Sequence, residues 1–217
     1  MIQRESIIYN ISEVYKQHVW EFTKDNNIGK RSHFNGTREQ QFVGLIGEYK
    51  VREMMGMPGN EPLYYYGEWH SLPEIKSTGF DGGFDIELIG GERFDVKTMT
   101  RNVQVQDHHE HNIVASQIKY NVDYYVFCSL NKNQNTLSVD GYVSKFEFLK
   151  WSKFHPSGET IVRDNGSTFK IGPDTFSIET RYLHDPQILD GLASTMAVWN
   201  ELNEGKLKHI NYENQKR

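Results

Sequence analysis

Three features of this 217-residue chain predict an α/β fold, a mixed central β-sheet flanked by helices. Apolar residues recur at helical spacing in two N-terminal segments and again near the C-terminus. Between them, residues 84–99 read as two short strands around a glycine turn. Residues 122–130 form an apolar run of the length and composition of a buried strand. Helices, then a hairpin-led sheet with interspersed helices, then a terminal helix argue for a single α/β domain over 1–217, with its core at about 38–150. A hydrophobic content of 37% with 13% aromatics suits a packed globule, and 25.3 kDa suits one domain.

The first predicted element is a helix over 5–24, where Ile7, Ile8, Ile11, Val14, Tyr15, Val19 and Phe22 form one stripe. Turn-forming residues at 24–29 end it. A second helix starts near Thr37, because Thr37-x-x-Gln40 has the form of a capping box, and runs through Phe42, Leu45, Ile46, Tyr49 and Met54. Gly44 and Gly47 each cost that helix about 1 kcal/mol relative to Ala, which close packing against another element would explain. Residues 57–83, with Tyr64, Tyr65, Tyr66 and Trp69, read as a long irregular connection. The hairpin follows, then a polar loop and a short helix at 112–120. After the buried strand, a turn at 131–135 leads to a strand ending at 141–143. Ser144-x-x-Glu147 is a second capping box, opening a short helix through Phe148 and Trp151. Weak strands are expected at 167–171 and 174–179. A C-terminal helix at 186–203 has Asp185 as N-cap, Pro186 in its first turn, and a stripe of Ile188, Leu189, Leu192, Met196, Trp199 and Leu202. The tail at 211–217 is expected to fray.

Cys128 lies inside the apolar run, so a buried strand thiol is expected and no disulfide can form. No apolar run approaches bilayer-spanning length, and the first residues lack the apolar stretch of a secretory signal, so no membrane partner and a cytoplasmic location are expected. A net charge of −5 weighs against a nucleic-acid partner at first sight. Carboxylates at a metal site contribute negative charge that their cations neutralise, however, and positive charge can be local, as over residues 29–38.

The hairpin carries Asp85 on its first strand and Asp95 and Lys97 on its second. A two-residue Gly90-Gly91 turn would put Asp85 and Asp95 on opposite faces, because side chains alternate along a strand. An odd loop or bulge near residues 89–92 puts Asp85 on one face with Asp95 and Lys97. It also gathers Phe84, Ile86, Leu88, Phe94 and Val96 on the other face, and this consistent apolar set favours the odd loop. Asp85 and Asp95 then offer the hard oxygens Mg²⁺ prefers, the Val96 carbonyl adds another, and Lys97 lies within reach of a scissile phosphate. The plainer reading is the solvated face of an amphipathic hairpin. Glu48 stands on the flank of the second helix's apolar stripe, where a carboxylate needs a partner. A metal shared with the hairpin would be one; snorkelling at the stripe's edge is the alternative.

Helical Glu48, then Asp85, then Asp95-Val96-Lys97 resembles the PD-(D/E)XK nuclease superfamily. Phe84 stands where the family name has proline. The resemblance covers residues 38–130 and implies a restriction-endonuclease-like core. It implies that Asp85, Asp95 and Glu48 hold the metal and that Lys97 is the catalytic lysine. It further implies a Mg²⁺-dependent nuclease, Mn²⁺ substituting, that hydrolyses DNA, more as an endonuclease than otherwise. Gln117 and Tyr120, expected on the following helix, are like polar residues that some members place near the site. A two-fold homodimer would suit cleavage of both strands. The alternative is a nucleic-acid-binding or assembly module that uses the fold without cleavage.

Other signals compete. Residues 107–111 hold Asp107, His108, His109, Glu110 and His111, a set that can bind zinc or form a polar loop at the site's mouth. A zinc-dependent hydrolase is the third reading. Arg101 and Lys119 bracket this loop and can contact phosphate or simply be solvated. Tyr64, Tyr65, Tyr66 and Trp69 can stack on unpaired bases or pack internally. No P-loop, dinucleotide-binding fingerprint or Ser/His/Asp arrangement is evident.

Overall fold

A computed structural model of the chain describes residues 5–25, 37–56, 83–88, 90–162 and 166–192. The aromatic cluster Tyr64, Tyr65, Tyr66 and Trp69, most of the basic stretch at 29–38, the hairpin-loop residue Ile89, and Met196, Trp199 and Leu202 of the expected terminal helix lie outside the described residues, as does the tail.

The chain opens differently from the expected helix over 5–24. Ile7–Asn10 form strand β1, and helix α1 spans only Glu13–Asp25. Ile7 and Tyr9 pack against the core while Ile8 is exposed, a period of two rather than 3.6. The Ser12 hydroxyl accepts the Tyr15 N–H at 3.2 Å, which starts the helix just beyond the strand. Helix α2, Arg38–Met54, has the expected reciprocal cap, with Thr37 and Gln40 each bonding the other's backbone.

Strands β2 (Ile86–Glu87), β3 (Arg93–Arg101), β5 (Tyr124–Asn131) and β6 (Thr136–Ser144) join β1 in a mixed sheet of order β1-β6-β5-β3-β2. The β3–β5 pair is parallel, from Phe94 opposite Tyr124 to Arg101 opposite Asn131; the other pairs are antiparallel. The expected strands at 122–130 and up to 143 are these central ones. Helix α3, Lys145–Trp151, carries the expected Ser144/Glu147 capping box. A second sheet of order β4-β10-β7 uses Glu110–Val114, Thr175–Glu179 and Lys153–His155, and Thr160–Val162 (β8) pairs with Thr168–Lys170 (β9). The two weak strands expected at 167–171 and 174–179 are therefore β9 and β10.

The helix expected at 112–120 is replaced by the end of β4 and a single 3-10 turn, Ala115–Gln117. Alternating burial of His111 and Ile113, together with backbone pairing to β10, decides for the strand. Asp185 caps as expected, accepting the Gln187 N–H at 2.9 Å, but Pro186–Leu189 form a 3-10 turn rather than the start of a continuous helix.

Two cores sit on the two faces of the main sheet. Leu45, Ile46 and Met54 of α2 pack on Phe94, Val96, Val126 and Cys128. On the other face, Tyr125, Phe127 and Val143 pack under Phe148 of α3 and Ile113 and Ile178 of the second sheet. Cys128 is buried as expected, and burial pushes its thiol well above the usual range. Gly47 explains its own presence: a Cβ there would lie 1.9 Å from Thr98 Oγ1, so helix backbone rests directly on β3. Gly44 meets no such obstacle, only Glu48 Oε1 at 3.8 Å. No described helix is long and apolar enough to cross a membrane.

Candidate active site

The hairpin has the odd loop its apolar pattern demands. Ile86 faces Phe94 and Glu87 faces Arg93, so facing residue numbers total 180. Leu88 N–H donates to Glu92 O at 3.0 Å, and Gly91, at φ +92°, donates its N–H to Leu88 O at 2.8 Å. This three-residue turn puts a glycine where positive φ is required. Asp85 N–H donates to Phe94 O at 2.9 Å, which sets Asp85 beside the Asp95 position of β3.

The strand β2 ends there, and the Asp85 side chain takes over: its Oδ2 accepts the Val96 N–H at 2.7 Å. The N–H and C=O of one strand residue point to the same edge, so the Val96 carbonyl faces the same side as this carboxylate. Arg52, from the last turn of α2, donates to the Asp85 carbonyl and braces the strand from below. Lys97 Nζ donates to Asp95 Oδ1 at 2.7 Å, two residues along the same face of β3. Asp95 is only 4% exposed. Its charge also reaches the neighbouring strand: Tyr125, paired with Asp95, has its hydroxyl pKa raised mainly by burial and further by Asp95.

Glu48 is half-buried on α2, one residue beyond the Gly47–Thr98 contact. That contact places α2 over the face of β3 holding Phe94, Val96 and Thr98, whereas Asp95 and Lys97 alternate to the other face. Among the described residues no three His, Cys, Asp or Glu side chains stand together as a metal-binding group.

The remaining expected residues divide. Arg101 is committed internally, with Nε donating to Ser129 Oγ at 2.9 Å and Nη2 to Glu110 O at 2.8 Å; burial lowers its pKa, opposed by the nearby Asp140 charge. Lys119 is exposed, its ammonium 5.8 Å from the Tyr120 ring centre. Gln117, half-buried, ends the 3-10 turn. Tyr120 is the member of this segment that reaches the hairpin. A Cβ on Gly83, φ +81°, would lie 2.5 Å from Tyr120 Cγ, so the ring covers the chain just ahead of Asp85. The histidines divide: exposed His108 lies ring to ring with His109 at 4.7 Å, His109 accepts the Gln106 N–H at 3.1 Å, and His111 is fully buried.

Two buried polar groups escaped the sequence reading. Asp140 bonds Ser129 Oγ at 2.5 Å and Ser138 Oγ at 2.6 Å, with His111 Nε2 3.4 Å away. Asp140-Gly141 inside a strand was the available signal, since that pair marks a bulge: the β5–β6 register shifts there, and Gly141 takes φ +144°. The second group is a Ser/His/Glu chain, His155 joining Ser177 Oγ and Glu159 Oε2 at 2.9 Å each. Ser177 lies 3% exposed in the middle strand of the second sheet, so the chain braces β7 against β10 rather than presenting a nucleophile.

No protein-family model, curated protein or solved structure matches this chain.

Proposed function

We propose that the chain is a Mg²⁺-dependent nuclease that hydrolyses phosphodiester bonds in DNA, an endonuclease of the PD-(D/E)XK type. One observation carries this reading: the odd hairpin loop sets Asp85 beside Asp95, with Lys97 bonded to the Asp95 carboxylate. The donor set suits Mg²⁺, which takes one or two carboxylates, keeps several waters and completes its shell with phosphate oxygens. Asp85, Asp95 and the Val96 carbonyl would hold it, with Glu48 of α2 as the further acid. A bound divalent cation supplies positive charge for the developing phosphoryl charge and an acidified water. Lys97 positions its ammonium against the attacked phosphate and offsets charge as it develops. Asp95 orients that ammonium, and the Asp85–Val96 bond fixes the first carboxylate. Mn²⁺ would substitute, and cutting both strands of a duplex would call for a two-fold homodimer.

A nucleic-acid-binding module without cleavage is the second reading, favoured by the position of α2 on the opposite sheet face from Asp95. Incubating the purified chain with plasmid and single-stranded DNA, in Mg²⁺ and in EDTA, separates the two. The nuclease reading expects cleavage only with the cation. It fails if nothing is cut, or if Lys97→Ala cuts as well as the parent.

A further inference from the structure

We propose that the outer surface of α3 and the start of β7 binds single-stranded nucleic acid, the aromatic rings stacking on unpaired bases and the lysines meeting the phosphates. This rests on the nucleic-acid reading above and names the form of its substrate. Phe146 is 77% exposed, Phe154 48% and Tyr182 45%, with Leu149 and Trp151 beside them in sequence. Large apolar side chains exposed this close together along the chain are the kind of surface that marks an interaction site. Trp151 and Tyr182 lie ring to ring at 6.3 Å, a ready platform of neighbouring π-faces.

Charge chooses the partner. In a chain of net charge −5, residues 145–154 hold Lys145, Lys150 and Lys153 against one acid, Glu147. That acid is engaged with Ser144 and His184. Lys150 and Lys153 are exposed. Exposed rings interleaved with ammonium groups match a strand whose bases are unpaired; in a duplex the base faces are hidden. In a two-fold pairing of this chain through the same patch, like-charged lysines would be brought together.

Position supports the same partner. The Lys145 N–H donates to Asp123 O at 2.8 Å, and Asp123 Oδ2 accepts the Arg93 N–H at the head of β3 at 2.8 Å. Lys145 Nζ donates to Tyr120 O at 2.7 Å, and Tyr120 covers Gly83, two residues before Asp85. The patch thus begins at the corner that holds the candidate active site.

The test is fluorescence anisotropy of a labelled mixed-sequence single strand and of its duplex, in EDTA and at two salt concentrations. The parent is expected to prefer the single strand. Phe146→Ala and Phe154→Ala should each weaken single-strand binding about fivefold or more, the loss of one stacked base. Lys150→Glu with Lys153→Glu should weaken it further and flatten its salt dependence. These side chains are exposed, and unchanged thermal melting would show that the variants fold. Equal affinity of Phe146→Ala and parent overturns the proposal, as does equal binding of duplex. So does a parent that instead self-associates, or binds anionic vesicles, in a manner Phe146→Ala abolishes. Cleavage with Mg²⁺ is read separately. Binding without cleavage removes the nuclease reading and leaves the patch; cleavage with intact Phe146→Ala binding does the reverse.

Discussion

Under α2 the main sheet presents Phe94, Val96, Val126, Cys128, Leu137 and Val139, an apolar surface with Gly47 seated on Thr98. Under α3 and the second sheet it presents Tyr125 and Phe127 together with Asp95, Lys97, Ser129 and Asp140. The first face is held by area and shape, to which many apolar side chains of suitable volume would contribute. The second encloses Asp95, Ser129 and Asp140, whose burial is offset by the bonds they make with Lys97, Arg101 and Ser138 and with one another. Every group proposed for chemistry that β3 supplies through a side chain comes from the second face. A sheet so divided can keep its stability on one side and hold constrained charge on the other.

The largest effect is expected from Lys97→Ala, which should reduce Mg²⁺-dependent cleavage about 100-fold or more, measured as initial rates on plasmid; it also takes the ammonium from the buried Asp95 carboxylate, so the melting temperature should fall as well. Next is Asp140→Ala, which takes the shared carboxylate from Ser129, Ser138 and His111. A loss of about 3 kcal/mol or more is expected by denaturant unfolding. Val139→Ala, its apolar neighbour facing α2, should cost only about 2 kcal/mol. Equal losses would break the contrast between the faces. Gly47→Ala should destabilise by about 1–3 kcal/mol, because its Cβ meets Thr98 Oγ1. Adding Thr98→Ala should recover part of that loss, a coupling that a double-mutant cycle measures.

The smallest effect concerns base. Burial raises the hydroxyl pKa of Tyr15, Tyr49 and Tyr125, so each stays neutral in the folded chain above pH 10, where an unfolded tyrosine ionises. Their contribution to stability is complete below pH 10 and declines as pH rises beyond it. Absorbance of tyrosinate should accordingly show a fraction of the tyrosines ionising only together with unfolding.

Much of the architecture was legible because it is written in local patterns. Both capping boxes, the buried strand with Cys128, and the odd hairpin loop follow from residue spacing that only one geometry satisfies. β1 was not legible: Ile7, Ile8 and Ile11 fit a helical stripe as well as a strand, and the pairing with β6 that decides it lies more than a hundred residues away. The same applies to β4, whose partner is β10. At the candidate site, the register that sets Asp85 beside Asp95 was legible from the alternation, whereas the side of the sheet that α2 would cover had no signature near Glu48. The Asp140 network needed three strands and a bulge to be in place before its members met.

Asp85 has one further consequence. Where β2 stops, the next rung of the ladder is completed by a side chain, and the amide proton of Val96 rests on a carboxylate oxygen instead of a peptide carbonyl. An edge finished in this way offers one place fewer for a foreign strand to pair. That amide also senses whatever the carboxylate senses. Protonation of Asp85, or arrival of a cation on it, weakens its hold on the proton, so the Val96 amide resonance and its hydrogen-exchange rate become a backbone reading of the charge at the rim of the sheet.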